Sequence, residues 1–197
     1  MKKLFIPFIL AACLTLSANA AKKVSPIADI KSISFCGVDF SKSRINGSTD
    51  TPDKLRKAYD EINRLFMSEP QKYNVAKLTG KVVDKIHIDA VADLNKDIPD
   101  ESLKTMSNSH SVSDEDINST LKNLNLDGLS GVGFVIVAQQ LNKSNDIASY
   151  VMVFFDIESR NVVSKFVLNG KPGGFGLRNF WAASVLDSMT KIKKYKE

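Results

Sequence analysis

Three long apolar segments in the last third of the chain constrain its fold more than any other feature. The segments are GVGFVIVAQQL (131–141), SYVMVFFDI (149–157) and VVSKFVLNG (162–170). They are separated by the polar loop NKSNDIA and the turn ESRN, and connections this short typically join neighbouring antiparallel strands. The first segment is apolar almost throughout, which is typical of a strand buried on both faces. The sequence therefore predicts an antiparallel three-strand meander.

A strand and a helix are predicted before the meander. Residues 30–40 have the composition of a strand. Thr51 or Asp50 then caps a helix that has Pro52 at its first position and closes at Pro70. Apolar residues recur in this helix at steps of three and four, so one full face is predicted to be buried. These residues are Leu55, Ala58, Tyr59, Ile62, Leu65 and Phe66.

The remaining segments complete an α+β pattern. Residues 82–91 are predicted as a strand, residues 92–112 as a long polar excursion, and Ser113 with Asp116 as the capping box of a helix ending at Gly128. A last helix follows the glycines near residue 175 and places Trp181 on its buried side. We expect one α+β domain over residues 30–195, in which helices pack on a mixed sheet that ends in the antiparallel three-strand meander.

The amino terminus has the three parts of a secretory signal. Lys2 and Lys3 precede an apolar run, and Ala18-Asn19-Ala20 is a small-x-small cleavage site. Residues 1–20 are therefore predicted as a signal peptide, followed by a polar lead-in over residues 21–29. Alternatively, Leu10-Ala11-Ala12-Cys13 resembles a lipobox, and lipidation of Cys13 would anchor the protein to a membrane. No later segment approaches the roughly 20 apolar residues of a transmembrane helix.

The net charge bears on nucleic-acid binding, and the cysteine content bears on disulfide formation. Removal of Lys2 and Lys3 with the signal peptide lowers the formal charge from +5 to +3, and acidic and basic residues are interspersed. This mild charge does not indicate nucleic-acid binding. Cys36 is the one cysteine left after processing, so no intramolecular disulfide can form. Its apolar neighbours predict a buried thiol.

The stretch NGKPGGFG (169–176) raises the question of a phosphate-binding loop. It lacks the Lys-Ser or Lys-Thr ending of a Walker loop and the order of a dinucleotide fingerprint, so no cofactor is predicted. In one interpretation the glycines only allow a sharp corner into a helix. In the other, the helix amino terminus binds an anion or a partner's carboxylate. The residues of that candidate site are Lys171, Gly173, Gly174, Gly176 and Arg178.

Catalytic and metal-binding patterns are weak. His87 and Asp89 share one face if they lie on a strand, but no third ligand accompanies them, so they are only weak candidates for a metal site. The Gly-x-Ser-x-Gly motif of serine hydrolases is absent. Carboxylates are plentiful, at Asp39, Asp84, Asp89, Asp93 and Asp97, and surface acids are the favoured interpretation.

The carboxy-terminal third resembles a recurring module of bacterial envelope proteins. That module occurs in the amino-terminal domain of the Tol-Pal propeller protein, in curli-secretion channel lipoproteins and in lipoprotein activators of penicillin-binding proteins. Gly131-Val132-Gly133 occupies the place where the first strand of the module begins, and Asp156 the place where the second ends. Residues 159–161 form the following turn, with Arg160-Asn161 where Thr-Gly is usual.

The resemblance covers residues 30–192 in layout, although its specific residues lie within 131–170 and residues 70–112 have no counterpart. It implies a sheet with helices on one face, and binding to other envelope proteins without catalysis. The leading hypothesis is therefore an exported, non-enzymatic envelope protein, in the periplasm or at the outer membrane, that binds a protein partner. A secreted protein or an outer-membrane lipoprotein is the alternative location. A metal- or carboxylate-dependent exported hydrolase and a periplasmic small-ligand carrier are the alternative functions.

Overall fold

The computed structural model describes residues 26–195. The predicted signal peptide (1–20), Cys13 and residues 21–25 of the lead-in lie outside the described residues. The elements in chain order are α1 Pro26–Asp29, β1 Ser32–Asp39, β2 Arg44–Asn46, α2 Pro52–Ser68, α3 Val75–Thr79, β3 Val82–Ile86, α4 Ala92–Lys96, α5 Asp114–Asn123, β4 Val132–Asn142, β5 Ile147–Asp156, β6 Val162–Gly170 and α6 Leu177–Met189. Short 3-10 turns span Ile88–Val91, Asp100–Ser102 and Ile192–Lys194.

The strands of the described residues form one mixed sheet with the order β3-β1-β4-β5-β6. β1 pairs in parallel with both β3 and β4, and β2 continues the parallel pairing along the end of β4. β4, β5 and β6 are antiparallel neighbours. This arrangement confirms the predicted α+β class and the meander at the end of a mixed sheet.

Both faces of the central strands β4 and β5 are buried. On one face, the aromatic and aliphatic side chains of β4 and β5 pack against α2 and α6. On the other face, valines of the same two strands pack against α5 and the turn Ile88–Val91. The burial of β4 on both faces is confirmed. The expectation of helices on one face only is wrong, because α5 covers apolar side chains that would otherwise be exposed on the second face.

Side chains replace a missing strand along the outer edge of β1. The pairing of β1 with β3 reaches Phe35, and a bulge follows at Gly37, which has a φ of 93°. Beyond the bulge, the amide of Asn63 accepts from the backbone N–H of Val38 at 2.7 Å and donates to its carbonyl at 2.9 Å. Asn95 likewise accepts from the Phe40 N–H at 2.6 Å and donates to the Val38 carbonyl at 2.9 Å. These bonds satisfy buried backbone groups for which a neighbouring strand is lacking.

The predicted helix starts are confirmed. The Thr51 side chain accepts a hydrogen bond from the Lys54 N–H at the start of α2, with Pro52 at the first position. Ser113 and Asp116 form a reciprocal capping box at the start of α5.

Two predictions after residue 91 are wrong. Residues 92–112 contain α4 and a 3-10 turn, and the side chains of Ile98 and Leu103 are buried. α5 ends at Asn123 rather than at Gly128, because Leu124 adopts an extended backbone conformation. The guanidinium of Arg160, from the turn between β5 and β6, donates to the carbonyls of Leu121 and Leu124 and so caps this helix end.

Candidate partner-binding site

The glycine-rich loop between β6 and α6 forms a tight corner whose tip is apolar. Gly174 and Gly176 have positive φ values of 88° and 83°, whereas Gly173 does not have a positive φ. The Gly173 N–H donates to the Phe180 carbonyl at 3.1 Å, which holds the loop against the first turn of the helix. Phe175 lies between the two positive-φ glycines and is 96% exposed. The glycines therefore serve the corner geometry and also place a large apolar side chain in solvent.

Two adjoining cavities lie beside this loop. The larger, of about 450 Å³, is bounded by α2 and by the start of α6. The smaller, of about 230 Å³, is bounded by the turn between β4 and β5 and by the start of α6. Asp50, Gly176 and Leu177 line both cavities, so the two are contiguous at the amino terminus of α6.

Two helices begin at this end of the molecule. The starts of α2 and α6 line the larger cavity, and α3, which follows α2, contacts the 3-10 turn that follows α6. α2 and α6 therefore run in the same direction, and both present positive dipole ends here. Thr51 caps α2, but no side chain caps α6. The first backbone N–H groups of α6 have no carbonyl acceptor within the helix, so they are available to a ligand.

Basic side chains outnumber acidic ones around the two cavities. Lys54, Lys57, Arg178 and Lys143 contribute four cations, against the carboxylates of Asp50 and Glu61. Glu61 is 3.9 Å from the ammonium group of Lys57. One carboxylate oxygen of Asp50 accepts a hydrogen bond from the Ser48 hydroxyl at 3.0 Å. The excess of positive charge suits an anionic ligand.

Trp181 carries an unpartnered buried donor. Its side chain is fully buried and packs edge-on against Phe180, with ring centroids 4.9 Å apart. Trp181 lines the smaller cavity, and its indole Nε1–H has no hydrogen-bond partner within residues 26–195. The predicted burial of Trp181 is confirmed. An unpartnered buried indole N–H is unusual, because most buried tryptophans find an acceptor.

Lys171 is not part of this arrangement. It is exposed, and its backbone N–H donates to the Asp187 carboxylate at 2.8 Å, in the third turn of α6. Burial raises the pKa of Asp187, but hydrogen bonds from Lys191 and from the Lys171 N–H outweigh burial, so the net pKa lies below its ordinary value. Of the residues predicted for an anion site, Gly174, Gly176 and Arg178 line the cavities, whereas Lys171 and Gly173 do not.

His87 and Asp89 do not lie on a strand, so the prediction of a strand over residues 82–91 is wrong beyond Ile86. β3 ends at Ile86, and the chain then turns through Ile88–Val91 over Gly37, where a Cβ atom would approach Val91 Cγ2 to 2.9 Å. His87 and Asp89 still line a common cavity, but Arg64 lines it as well, and its positive charge disfavours a cation. Within the described part of the chain, no group of three or more His, Cys, Asp or Glu side chains is placed to hold a metal ion.

The other candidate groups serve the fold or lie on the surface. Burial raises the pKa of the Cys36 thiol to about 12, so it is not a nucleophile. The carboxylate of Asp39 is buried and accepts hydrogen bonds from the Ser41 N–H and the Thr120 hydroxyl. The other carboxylates noted in the sequence, Asp84, Asp89, Asp93 and Asp97, are exposed.

Sequence reasoning missed Lys143 and the cavity role of Asp50. The sequence presents Asp50 as a candidate helix cap and Lys143 as part of a polar loop. The position of Lys143 could have been inferred from the strand order. In an antiparallel meander the end of β6 lies beside the start of β5, and Gly170 indeed pairs with Ala148. The turn between β4 and β5 is therefore brought to the corner where α6 begins.

Comparisons with known proteins add no family to this description. No protein-family model matches the chain, and no curated protein matches it significantly. None of the helices within residues 26–195 combines the length and the apolar character required to cross a membrane.

Proposed function

We propose that this chain is an exported, non-enzymatic protein of the bacterial cell envelope that binds a protein partner at the start of α6. Export is supported by the signal-peptide pattern of residues 1–20. The observation that carries the binding proposal is Phe175, a large apolar side chain that is 96% exposed at the tip of a loop fixed by two positive-φ glycines.

Several features favour a protein as the ligand. Exposed aromatic side chains held in a defined conformation are typical anchors of protein interfaces, since they bury much area at little entropic cost. The cations Lys54, Lys57 and Arg178 line the larger cavity beside this anchor. Such charges around an apolar centre favour a partner surface with acidic residues. The partner is therefore one that offers an apolar pocket for Phe175 and acidic residues around it.

The chemistry available at this end does not favour catalysis. The side chains that line the two cavities carry ammonium, guanidinium, indole, phenyl, amide and aliphatic groups together with two carboxylates. No serine, cysteine or histidine lines either cavity, so a nucleophile with an adjacent base is lacking there.

Site-specific photocrosslinking in the native envelope tests this proposal. A photoreactive phenylalanine analogue replaces Phe175 in one variant, and in the control it replaces Met106, which is 95% exposed elsewhere on the surface. We expect one defined adduct at position 175 and none at position 106. The adduct partner, identified by mass spectrometry and purified, should bind the wild-type protein at least about tenfold more tightly than Phe175→Ala. Equal affinity for Met106→Ala and Phe175→Ala, or equal adducts at both positions, would contradict the proposal.

A further inference from the structure

The residues that line the smaller cavity at the start of α6 carry several hydrogen-bond donors and one carboxylate, that of Asp50. The Trp181 indole can only donate, and so can the Lys143 ammonium group. The free backbone N–H groups at the start of α6 are also donors. The Trp181 Nε1–H is buried and has no partner among the described residues. Leaving a buried donor unpaired is unfavourable, so a ligand that supplies an acceptor would restore the missing bond.

The lining of this cavity distinguishes between classes of anion. Lys143 is its one cationic side chain, and Asp50 places a carboxylate in the same lining. Phosphate carries between one and two negative charges near neutral pH, so Asp50 would repel it more than it repels a singly charged carboxylate. Leu177 and Phe180 supply apolar contacts, which suit the carbon chain that bears a carboxylate. The lining therefore favours a carboxylic acid over a phosphate.

We propose that this cavity binds a carboxylate from an acidic segment of the protein partner, with the Trp181 indole N–H and the amino terminus of α6 as donors and Lys143 as counter-ion. This inference rests on the proposed partner-binding function and specifies the group that is recognised. The larger cavity adjoins the smaller at Asp50, Gly176 and Leu177 and contains Lys54 and Arg178. A peptide that places one carboxylate beside Trp181 would thus continue over a surface of complementary charge.

The single tryptophan of the chain gives a direct readout. In a 15N-labelled processed protein, the one indole N–H resonance belongs to Trp181. The probes are the peptide acetyl-Ala-Ala-Glu-amide, its neutral match acetyl-Ala-Ala-Gln-amide, sodium propionate and inorganic phosphate, at constant ionic strength. We expect a saturable downfield shift of the indole resonance with the Glu peptide, a weaker one with propionate, and none with the Gln peptide.

Variants of matched charge test the geometry. Lys143→Gln should weaken binding of the Glu peptide by about threefold to tenfold, as expected for loss of one partly exposed counter-ion. Asp50→Asn should strengthen binding by about threefold for the same reason. Lys171→Gln removes the same charge from a residue of the loop between β6 and α6 that does not line the cavity, and should leave the affinity unchanged. Trp181→Phe should abolish specific binding. If that variant does not fold, the comparison of Lys143→Gln with Lys171→Gln still tests the proposal.

Several results would overturn the inference. Absence of any indole shift, equal effects of Lys143→Gln and Lys171→Gln, or tighter binding of phosphate than of the Glu peptide would each do so. Binding of propionate without the Glu peptide would make the site one for a small acid and contradict a partner carboxylate. A defined adduct at position 175 without an indole shift would leave the partner-binding function standing and remove this inference alone. An indole shift without a defined adduct at position 175 would contradict the partner-binding function.

Discussion

Substitution of Gly176 by alanine isolates the backbone conformation that forms the corner before α6. Gly176 has φ 83° and ψ 153°, a combination that residues with a Cβ atom essentially do not adopt. A Cβ atom built there meets no other atom within 4 Å, so the cost is conformational rather than steric. We expect Gly176→Ala to lower the free energy of unfolding by about 1–3 kcal/mol.

Gly173 provides the matched control, three residues earlier in the same loop. Its φ is not positive, and an added Cβ atom would also meet nothing within 4 Å. Gly173→Ala should therefore leave stability unchanged or raise it by about 0.4–1 kcal/mol, because alanine restricts the unfolded chain. Gly174→Ala should resemble Gly176→Ala, since its φ is 88° and the new Cβ would lie 3.4 Å from the Asn179 Cβ.

Equilibrium urea unfolding, followed by the fluorescence of the single tryptophan, measures these differences. For a domain of this size, a loss of 1 kcal/mol corresponds to a fall in melting temperature of about 2–4 °C. The reasoning is refuted if Gly173→Ala and Gly176→Ala change the unfolding free energy by the same amount.

Three further predictions concern the core and the amino terminus. Trp181→Ala should lower the free energy of unfolding by about 3–5 kcal/mol in urea titrations, because the ring is fully buried; a loss below about 1 kcal/mol would contradict its place in the core. Burial raises the pKa of Cys36 from 9.0 to about 12, so its contribution to stability is fully present below pH 9 and declines towards pH 12. The stability difference between wild type and Cys36→Ala should thus be constant up to pH 9 and then fall by at most about 1.4 kcal/mol per pH unit; a constant difference above pH 9 would rule this out. Intact mass measurement of the native protein should give a chain that starts at Ala21, and a diacylated Cys13 at the amino terminus would overturn this.

Features determined by local sequence were predictable. The capping of α2 by Thr51 and the box formed by Ser113 and Asp116 depend on residues three positions apart, and the sequence displays them directly. The meander follows from three apolar runs with short connections. Burial of Trp181 follows from its spacing with other apolar residues of α6. In each case the partners lie within one or two turns or adjoining strands of the same segment.

Features that depend on distant partners were not predictable. α5 stops before Gly128, and the carbonyls at its end are bound by Arg160, which lies more than thirty residues later. His87 leaves the strand because the chain crosses the bulge at Gly37, about fifty residues earlier. The cavity beside Trp181 combines side chains from the approach to α2, the turn after β4 and the start of α6. Chain topology, which no short motif encodes, brings these groups together.

The asparagine pair at the edge of β1 also determines how this part of the core tolerates mutation. Asn63 and Asn95 bind the backbone of Val38 and Phe40, and all four residues are buried. A backbone strand cannot be removed by a point mutation, but a side-chain amide can. A single substitution at either asparagine would leave buried backbone groups of β1 without a partner and without access to water, which costs about 1–3 kcal/mol for each unsatisfied group. The hydrogen bonding of this strand therefore depends on two side chains that lie far from it in the sequence.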